Sequence, residues 1–320
     1  MPDAFDDELR KLREEAKHSQ APALRFERLE MPNLMNGDRP ETEWLVEDVW
    51  PKGRQIHIHA ARKSGKSLVS LWMACNLALG RDPFTMAPIK HVRVGYWDHE
   101  MNLDDVLERI DDMGLDIYAV NENLNYYLHQ PIAPLDTERG GLELLNQALN
   151  ANEEAVFIDT MSRVISGDEN SADTYINFYR HTGQPLKANG IAMSRLDHEG
   201  HEGGRSRGSS AKADDVDIVW QLKPTDDGLQ FIRKAARMSW VPENVFVKRH
   251  EDAGLSYSRQ ATAYQAGTAE KAKEMDDAGV PMDAGRGVAI RMLKEAGFVP
   301  GKNALISAAI KYRKTRMIWP

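Results

Sequence analysis

The chain has 320 residues, a formal net charge of −8 and 42% hydrophobic side chains, enough for one large domain with extensions or for two. Its single cysteine, Cys75, excludes an internal disulfide and any cysteine-cluster metal site, and its apolar surroundings place it on a buried helix face. No run approaches the roughly 18 apolar residues of a membrane span and the start MPDAFDDELRKLREEAKHSQ is acidic, so a cytoplasmic protein without a membrane partner is expected, one that touches nucleic acid locally if at all.

Residues 1–42 read as an acidic, helical arm and a lead-in linker in which Pro and Gly recur without periodicity. From residue 43 to 257 short apolar strands alternate with amphipathic helices. RQIHIHA is followed by SGKSLVSLWMACNLALG, HVRVGYWD by LDDVLERIDDMG, EEAVFID by DTYINFYRHTGQPLKANG, and then come IAMSRLD, DDVDIVWQL, LQFIRKA and VFVKRH. That alternation predicts an α/β fold, a mainly parallel sheet with helices on both faces. Residues 258–284, rich in Ala, Gly and charge, read as a linker. Residues 285–320 form a small helical region, two helices around the turn FVPGKNA, a helix-turn-helix-like fragment or a plain hairpin. From Arg286 onward it carries eight basic residues against one acid, Glu295, so it is a candidate nucleic-acid contact or a solvated helical face.

The stretch AARKSGKS, residues 60–67, lies between a predicted strand and a predicted helix, where a phosphate-binding loop belongs. Ala60 stands where that pattern has its first glycine, a cost only if the position needs a positive φ or the absence of a Cβ. The candidate nucleotide-binding residues are Ala61, Arg62, Lys63, Ser64, Gly65, Lys66, Ser67 and Leu68. Their backbone N–H groups and the helix N-terminus suit phosphate oxygens, Lys66 suits the β and γ phosphates, and Ser67 suits Mg²⁺. ATP and Mg²⁺ are therefore the expected ligands.

A second carboxylate on the metal side is expected at the end of a neighbouring strand, and Asp159 follows AVFI. Glu100, just past HVRVGYWD, is the leading candidate to activate water, with Asp98 second. His198, at the end of IAMSRLD, is a candidate sensor of the γ phosphate. The Gly-rich segment after it offers Arg205, Arg207 and Lys212 to a phosphodiester backbone, while His198 and His201 alone make a poor zinc site. In the strand pair LQFIRKAARMSWVPENVFVKR, Lys234 and Arg237 are candidates to complete a neighbouring subunit's ATP site, with Arg207 competing for that role.

Taken together, AARKSGKS, Glu100, AVFIDT, IDTMSRVISGDENSAD and LDHEGHEGGRSRGSSAKADD resemble the RecA-like P-loop ATPases of the replicative helicases, and within them the plasmid and phage RepA type. The resemblance covers about residues 44–249. It implies a RecA-like core in which Lys66 and Ser67 hold nucleotide and Mg²⁺, Asp159 holds the metal's water shell, Glu100 activates water and His198 senses the γ phosphate. It also implies a ring, commonly a hexamer, with ATP at subunit interfaces, single-stranded DNA in the channel and replication partners. Loops around Asp168–Asp173 and His201–Lys212 would face that channel. Three departures stand out: Ala60, Asp197 at the place of a second histidine in relatives, and the two alanines that separate Lys234 from Arg237. The alternatives are a recombination or loading ATPase that binds DNA without unwinding it, and a nucleotide-gated DNA-binding regulator.

Overall fold

A computed structural model describes residues 31–32, 42–198, 215–225, 227–252, 254–260, 268–301 and 303–316. The chain divides into Met1–Glu41, almost all of which lies outside the described residues, and Thr42–Pro320. The second unit opens with a small hairpin, β1 (Trp44–Val46) and β2 (Trp50–Pro51), and then builds one nine-stranded sheet.

The sheet strands are β3 (Gln55–Ala60), β4 (Val94–Asp98), β5 (Leu124–Leu128), β6 (Ala155–Asp159), β7 (Ala192–His198), β8 (Ile218–Thr225), β9 (Gly228–Ala236), β10 (Asn244–His250) and β11 (Ser256–Gln260). Their order is β11-β10-β9-β8-β3-β7-β6-β4-β5. From β5 through β8 every neighbouring pair is parallel, and β9 to β11 extend the edge as an antiparallel meander. This is the expected RecA-like α/β core. Because β3, β7, β6 and β4 run the same way side by side, their C-terminal ends lie along one rim, where parallel α/β sheets bind ligands.

Helices cover both faces, each over its own apolar core. On one side α1 (Lys66–Ala78) buries Val69, Met73 and Leu77 against Ile56, Ile58, Leu196 and Trp220. Cys75 is fully buried there, as expected, and burial pushes its thiol up to about 12. On the other side α4 (Glu138–Asn150), α5 (Ala172–Phe178) and α6 (Gln184–Ala188) bury Leu144, Phe178 and Leu186 against Val156, Ile158 and Met193. A π-helical turn, Tyr179–Gly183, joins α5 to α6. Two further helices, α2 (Leu103–Asp112) and α3 (Ile117–Asn121), lie between β4 and β5.

Alternate positions of β3 explain why it reads as a mixture of apolar and polar residues. Ile56, Ile58 and Ala60 enter the α1 core, while Gln55, His57 and His59 point to the opposite face. They meet a buried polar layer there that contains Arg195, Asp197, Asp217 and Gln221.

The start of α4 depends on two glycines. A Cβ on Gly141 would lie 1.9 Å from the His181 carbonyl oxygen, and one on Gly140 would lie 2.2 Å from that of Pro134. The obstacles are backbone atoms and cannot rotate away. Gly141→Ala is expected to destabilise the fold by about 2 kcal/mol, the usual scale of overpacking, read as a lower urea midpoint with an unchanged slope.

One departure from the sequence reading concerns the C-terminal part: the stretch 258–284, read as a linker, holds the end of β11 and a helix, α7 (Thr268–Asp277), which precedes the two helices of residues 285–320, α8 (Arg286–Glu295) and α9 (Asn303–Arg316). They share a core of Ala272, Met275, Ala289, Leu293, Ile306 and Ala309. Much of that core is alanine, which lets helices approach closely but leaves little hydrophobic signal in the sequence, so α7 looks like a linker. Arg313, counted among the basic residues, is buried and bonds Asp276 Oδ1 at 2.7 Å and the Val280 carbonyl at 2.6 Å. It is a structural cation.

Candidate functional site

The phosphate loop leaves β3 at Ala60, which is still in the strand, fully buried and paired with His198 on one side and Leu222 on the other. A glycine is not needed there, because the left-handed positions fall at Lys63 (φ 60) and Gly65 (φ 85). A Cβ on Gly65 would have room, 3.9 Å from its nearest neighbour, so what fixes glycine is the backbone angle. Helix α1 begins at Lys66 with no side-chain cap and no acidic residue in its first turn, which leaves its N-terminal N–H groups for an anion. Ser64 Oγ is buried without a hydrogen-bond partner among the described residues, and Lys66 is buried with its Nζ 3.9 Å from Asp159 Oδ1.

Asp159 ends β6 and is 1% exposed. Its Oδ2 accepts a hydrogen bond from the Tyr96 hydroxyl at 3.0 Å, and that hydroxyl also lies 3.4 Å from the Ser67 carbonyl. Its Oδ1 faces the Lys66 ammonium, and the Ser67 side chain also reaches the carboxylate. Burial pushes the Asp159 carboxyl above its ordinary range and the Lys66 charge opposes that shift.

Glu100 follows β4. The His99 N–H donates to the Asp159 carbonyl at 2.8 Å and ties this segment to β6. Asp98, the second candidate for activating water, is excluded by its surroundings. It is fully buried, its Oδ1 accepts from the N–H groups of Glu100 (2.8 Å) and Met101 (3.0 Å), and its Oδ2 accepts from Tyr126 at 2.5 Å. Asp98 therefore shapes the turn that presents Glu100. Glu100 Oε1 lies 3.5 Å from His198 Nε2 and 3.7 Å from Arg163 Nε. Lys66, Ser67, Asp159, Glu100 and His198, chosen from separate stretches of sequence, thus meet on one rim of the sheet.

Residues 20–204, more than half of the chain, match the family described as AAA domain. The chain belongs to that AAA domain family. Among curated proteins none matches it. The family match supports a P-loop ATPase and spans the loop, Glu100, Asp159 and His198, while β8 to β11 lie beyond it.

In this AAA domain protein a cleft of about 590 Å³ opens beside the phosphate loop, between Lys63–Gly65, the β8–β9 turn at Pro224 and the end of β10 near Lys248, with Tyr257 in its wall. Sequence reading missed this cleft because its walls come from three distant segments. It also missed Tyr96 and Arg163, which are ordinary residues inside a strand and a turn until the partner strands are known.

Lys234 and Arg237 do not stand on equal terms. Lys234 is the extra residue of a β-bulge: Trp220 pairs with Arg233 and Val219 with Ala235, leaving Lys234 opposite no partner. Arg237 follows the end of β9, where its N–H donates to the Asp217 carbonyl at 2.9 Å and its charge favours the ionised Asp215 carboxylate. Arg205, Arg207, Lys212 and His201 lie outside the described residues. The C-terminal anchor of that segment is described. Arg195, fully buried in β7, makes a bidentate pair with Asp215 at 2.6 and 2.7 Å and lies over the rings of Tyr175 and Phe178 at 5.5 and 5.4 Å. The loop at Asp168–Asp173 is anchored at its start by Asp136, whose carboxylate accepts from Ser166 N and Gly167 N at 2.8 and 2.9 Å. No described helix is long and apolar enough to cross a membrane.

Proposed function

We propose that the chain is an ATP-hydrolysing, RecA-like DNA motor, a ring-forming helicase of the RepA type that translocates on single-stranded DNA in phage or plasmid replication. The observation that carries the ATPase half is the meeting of Lys66, Asp159, Glu100 and His198 at the C-terminal ends of adjacent parallel strands. The motor half rests on the resemblance of the whole motif set.

The residues present fit Mg²⁺–ATP. The buried Asp159 carboxylate, reached by the Ser67 side chain and facing Lys66, offers with Ser67 a pair of oxygen groups that suits a hard cation keeping most of its water. Bound Mg²⁺ would neutralise charge on the β and γ phosphates. The loop N–H groups and Lys66 would hold those phosphates, and the adjoining cleft would take the nucleoside. Glu100 would take a proton from the attacking water, and His198 Nε2 would leave Glu100 for the γ phosphate. The segment after His198, reaching Asp215 through Arg205, Arg207 and Lys212, would carry that change to DNA, with Lys234 or Arg237 serving the next subunit's site.

Tyr96 sets the angle of the Asp159 carboxylate, as the outer partners of metal ligands commonly do. Tyr96→Phe is expected to raise the Mg²⁺ concentration needed for half-maximal hydrolysis about tenfold with little change in the rate at saturation. An unchanged Mg²⁺ titration would mean that Tyr96 does not position the Asp159 carboxylate for the metal.

The test of the proposed function is steady-state ATP hydrolysis with and without single-stranded DNA, beside sedimentation and a strand-displacement assay. Strong DNA stimulation, an ATP-dependent ring-sized species and ATP-driven unwinding support the motor. Stimulation without unwinding moves the reading to a recombination or loading ATPase, and hydrolysis indifferent to DNA moves it to a nucleotide-gated regulator.

A further inference from the structure

The Glu100 carboxylate makes no hydrogen bond among the described residues; the two groups that approach it are His198 at 3.5 Å and Arg163 at 3.7 Å, both on Oε1. These distances exceed hydrogen-bond length, so the contacts act through charge. The two neighbours differ in what else they must do. If His198 turns to the γ phosphate, as the proposed function requires, it releases Glu100 when the carboxylate must be aimed at water.

Arg163 is free of that conflict. It closes the short 3-10 turn Met161–Arg163 directly after Asp159 and Thr160, and the turn is fixed from several sides. Arg163 N donates to the Thr160 carbonyl at 3.1 Å, the Thr160 hydroxyl donates to the Leu196 carbonyl on β7 at 2.7 Å, and the neighbouring Val164 carbonyl accepts from Leu135 N at 2.7 Å. Met161 and Val164, on either side, are buried. The backbone of Arg163 is thus set by the same strands that set Asp159 and His198. Its side chain is 63% exposed, yet among the described residues Glu100 is the carboxylate within 4.0 Å of it. A guanidinium stays protonated throughout the working pH range and accepts no hydrogen bond, so it can orient a carboxylate without competing for the proton.

We infer that Arg163 is the positioning residue for Glu100, holding the carboxylate in place for proton transfer after His198 has moved to the phosphate. The inference rests on the ATPase reading and adds to it a residue that acts through Glu100. In this role it acts on the carboxylate, not on nucleotide or metal.

The experiment compares ATP hydrolysis by the wild type, Arg163→Gln, Arg163→Lys, Glu100→Gln and the double variant Glu100→Gln/Arg163→Gln. Arg163→Gln is expected to lower kcat about tenfold, the scale of a misaligned catalytic group, with KM within about twofold. Arg163→Lys should recover most of that loss, and the gap between wild type and Arg163→Gln should narrow in high salt, as for an exposed charge pair. The double variant should be no slower than Glu100→Gln alone, since residues acting as one unit are not additive. A kcat for Arg163→Gln within twofold of wild type overturns the inference, as does a further loss on the Glu100→Gln background or a change confined to KM. A wild type without ATPase activity, or a fully active Glu100→Gln, would instead sink the ATPase reading itself.

Discussion

Glu100→Gln is expected to slow ATP hydrolysis about 10³-fold while leaving ATP affinity within about threefold of wild type. A positioned general base contributes roughly 10² to 10⁴ in rate, and the amide keeps the size and hydrogen-bonding reach of the carboxylate while removing its ability to take a proton. The neighbourhood makes the substitution clean. Asp98, the second candidate for activating water, cannot take over, because it is buried and holds two backbone N–H groups and a tyrosine hydroxyl. The checks are single-turnover hydrolysis and equilibrium binding of a fluorescent ATP analogue on the same preparation. Loss of binding together with rate would mean that Glu100 supports the fold of the loop, and normal hydrolysis would mean that another group activates water.

Arg195→Ala is expected to destabilise the protein by about 4 kcal/mol, the usual cost of leaving one partner of a buried ion pair behind. Arg195 is fully buried, its guanidinium makes both hydrogen bonds of a fork to Asp215, and two aromatic rings flank it. The loss should depend on pH in a definite direction. Burial pushes the Asp215 carboxyl above its ordinary range and the Arg195 charge opposes this, so removing Arg195 raises the folded-state value further. A carboxyl whose folded pKa is raised is tolerated when protonated, below that pKa, and becomes a burden as pH rises through it. Urea melts should therefore show a larger destabilisation near about pH 8 than near about pH 5. Equal losses at both would mean that Asp215 moves to solvent when its partner is removed. On the proposed motor reading, the variant's DNA stimulation should suffer more than its basal hydrolysis, because Asp215 directly follows residues 199–214 in the chain.

Much of the candidate site was legible because its chemistry sits where the local pattern changes. The loop lies between a strand and a helix, Asp159 ends an apolar run, and Glu100 and His198 each stand at a strand exit, all of which one sequence displays. What was not legible depends on neighbours in space. Arg195 reads as a polar break in IAMSRLD until β7 is laid beside β3 and its partner Asp215 comes into reach. Tyr96 reads as a core aromatic until β4 pairs with β6 and brings its hydroxyl to Asp159. Helix α4 was missed because Gly140 and Gly141 weaken the helical signal of its first turn, and those glycines let the helix lie against the backbone carbonyls of Pro134 and His181. Strand β5 escaped because it lies at the sheet edge with most of its residues half-buried, so its apolar signal is thin.

The bulge at Lys234 bears on how this hairpin can be aligned with those of other proteins. Because Ala235 pairs with Val219 and Arg233 with Trp220, a homologue lacking one residue here would keep both flanks of β9 on the same partners, and its counterpart of Arg237 would emerge from the same face. A one-residue gap at this point is geometrically silent. Counting residues from Lys234 to Arg237 therefore measures nothing conserved by the fold. Cations in this hairpin should be matched across proteins by the rung of the ladder they occupy, not by their spacing along the chain.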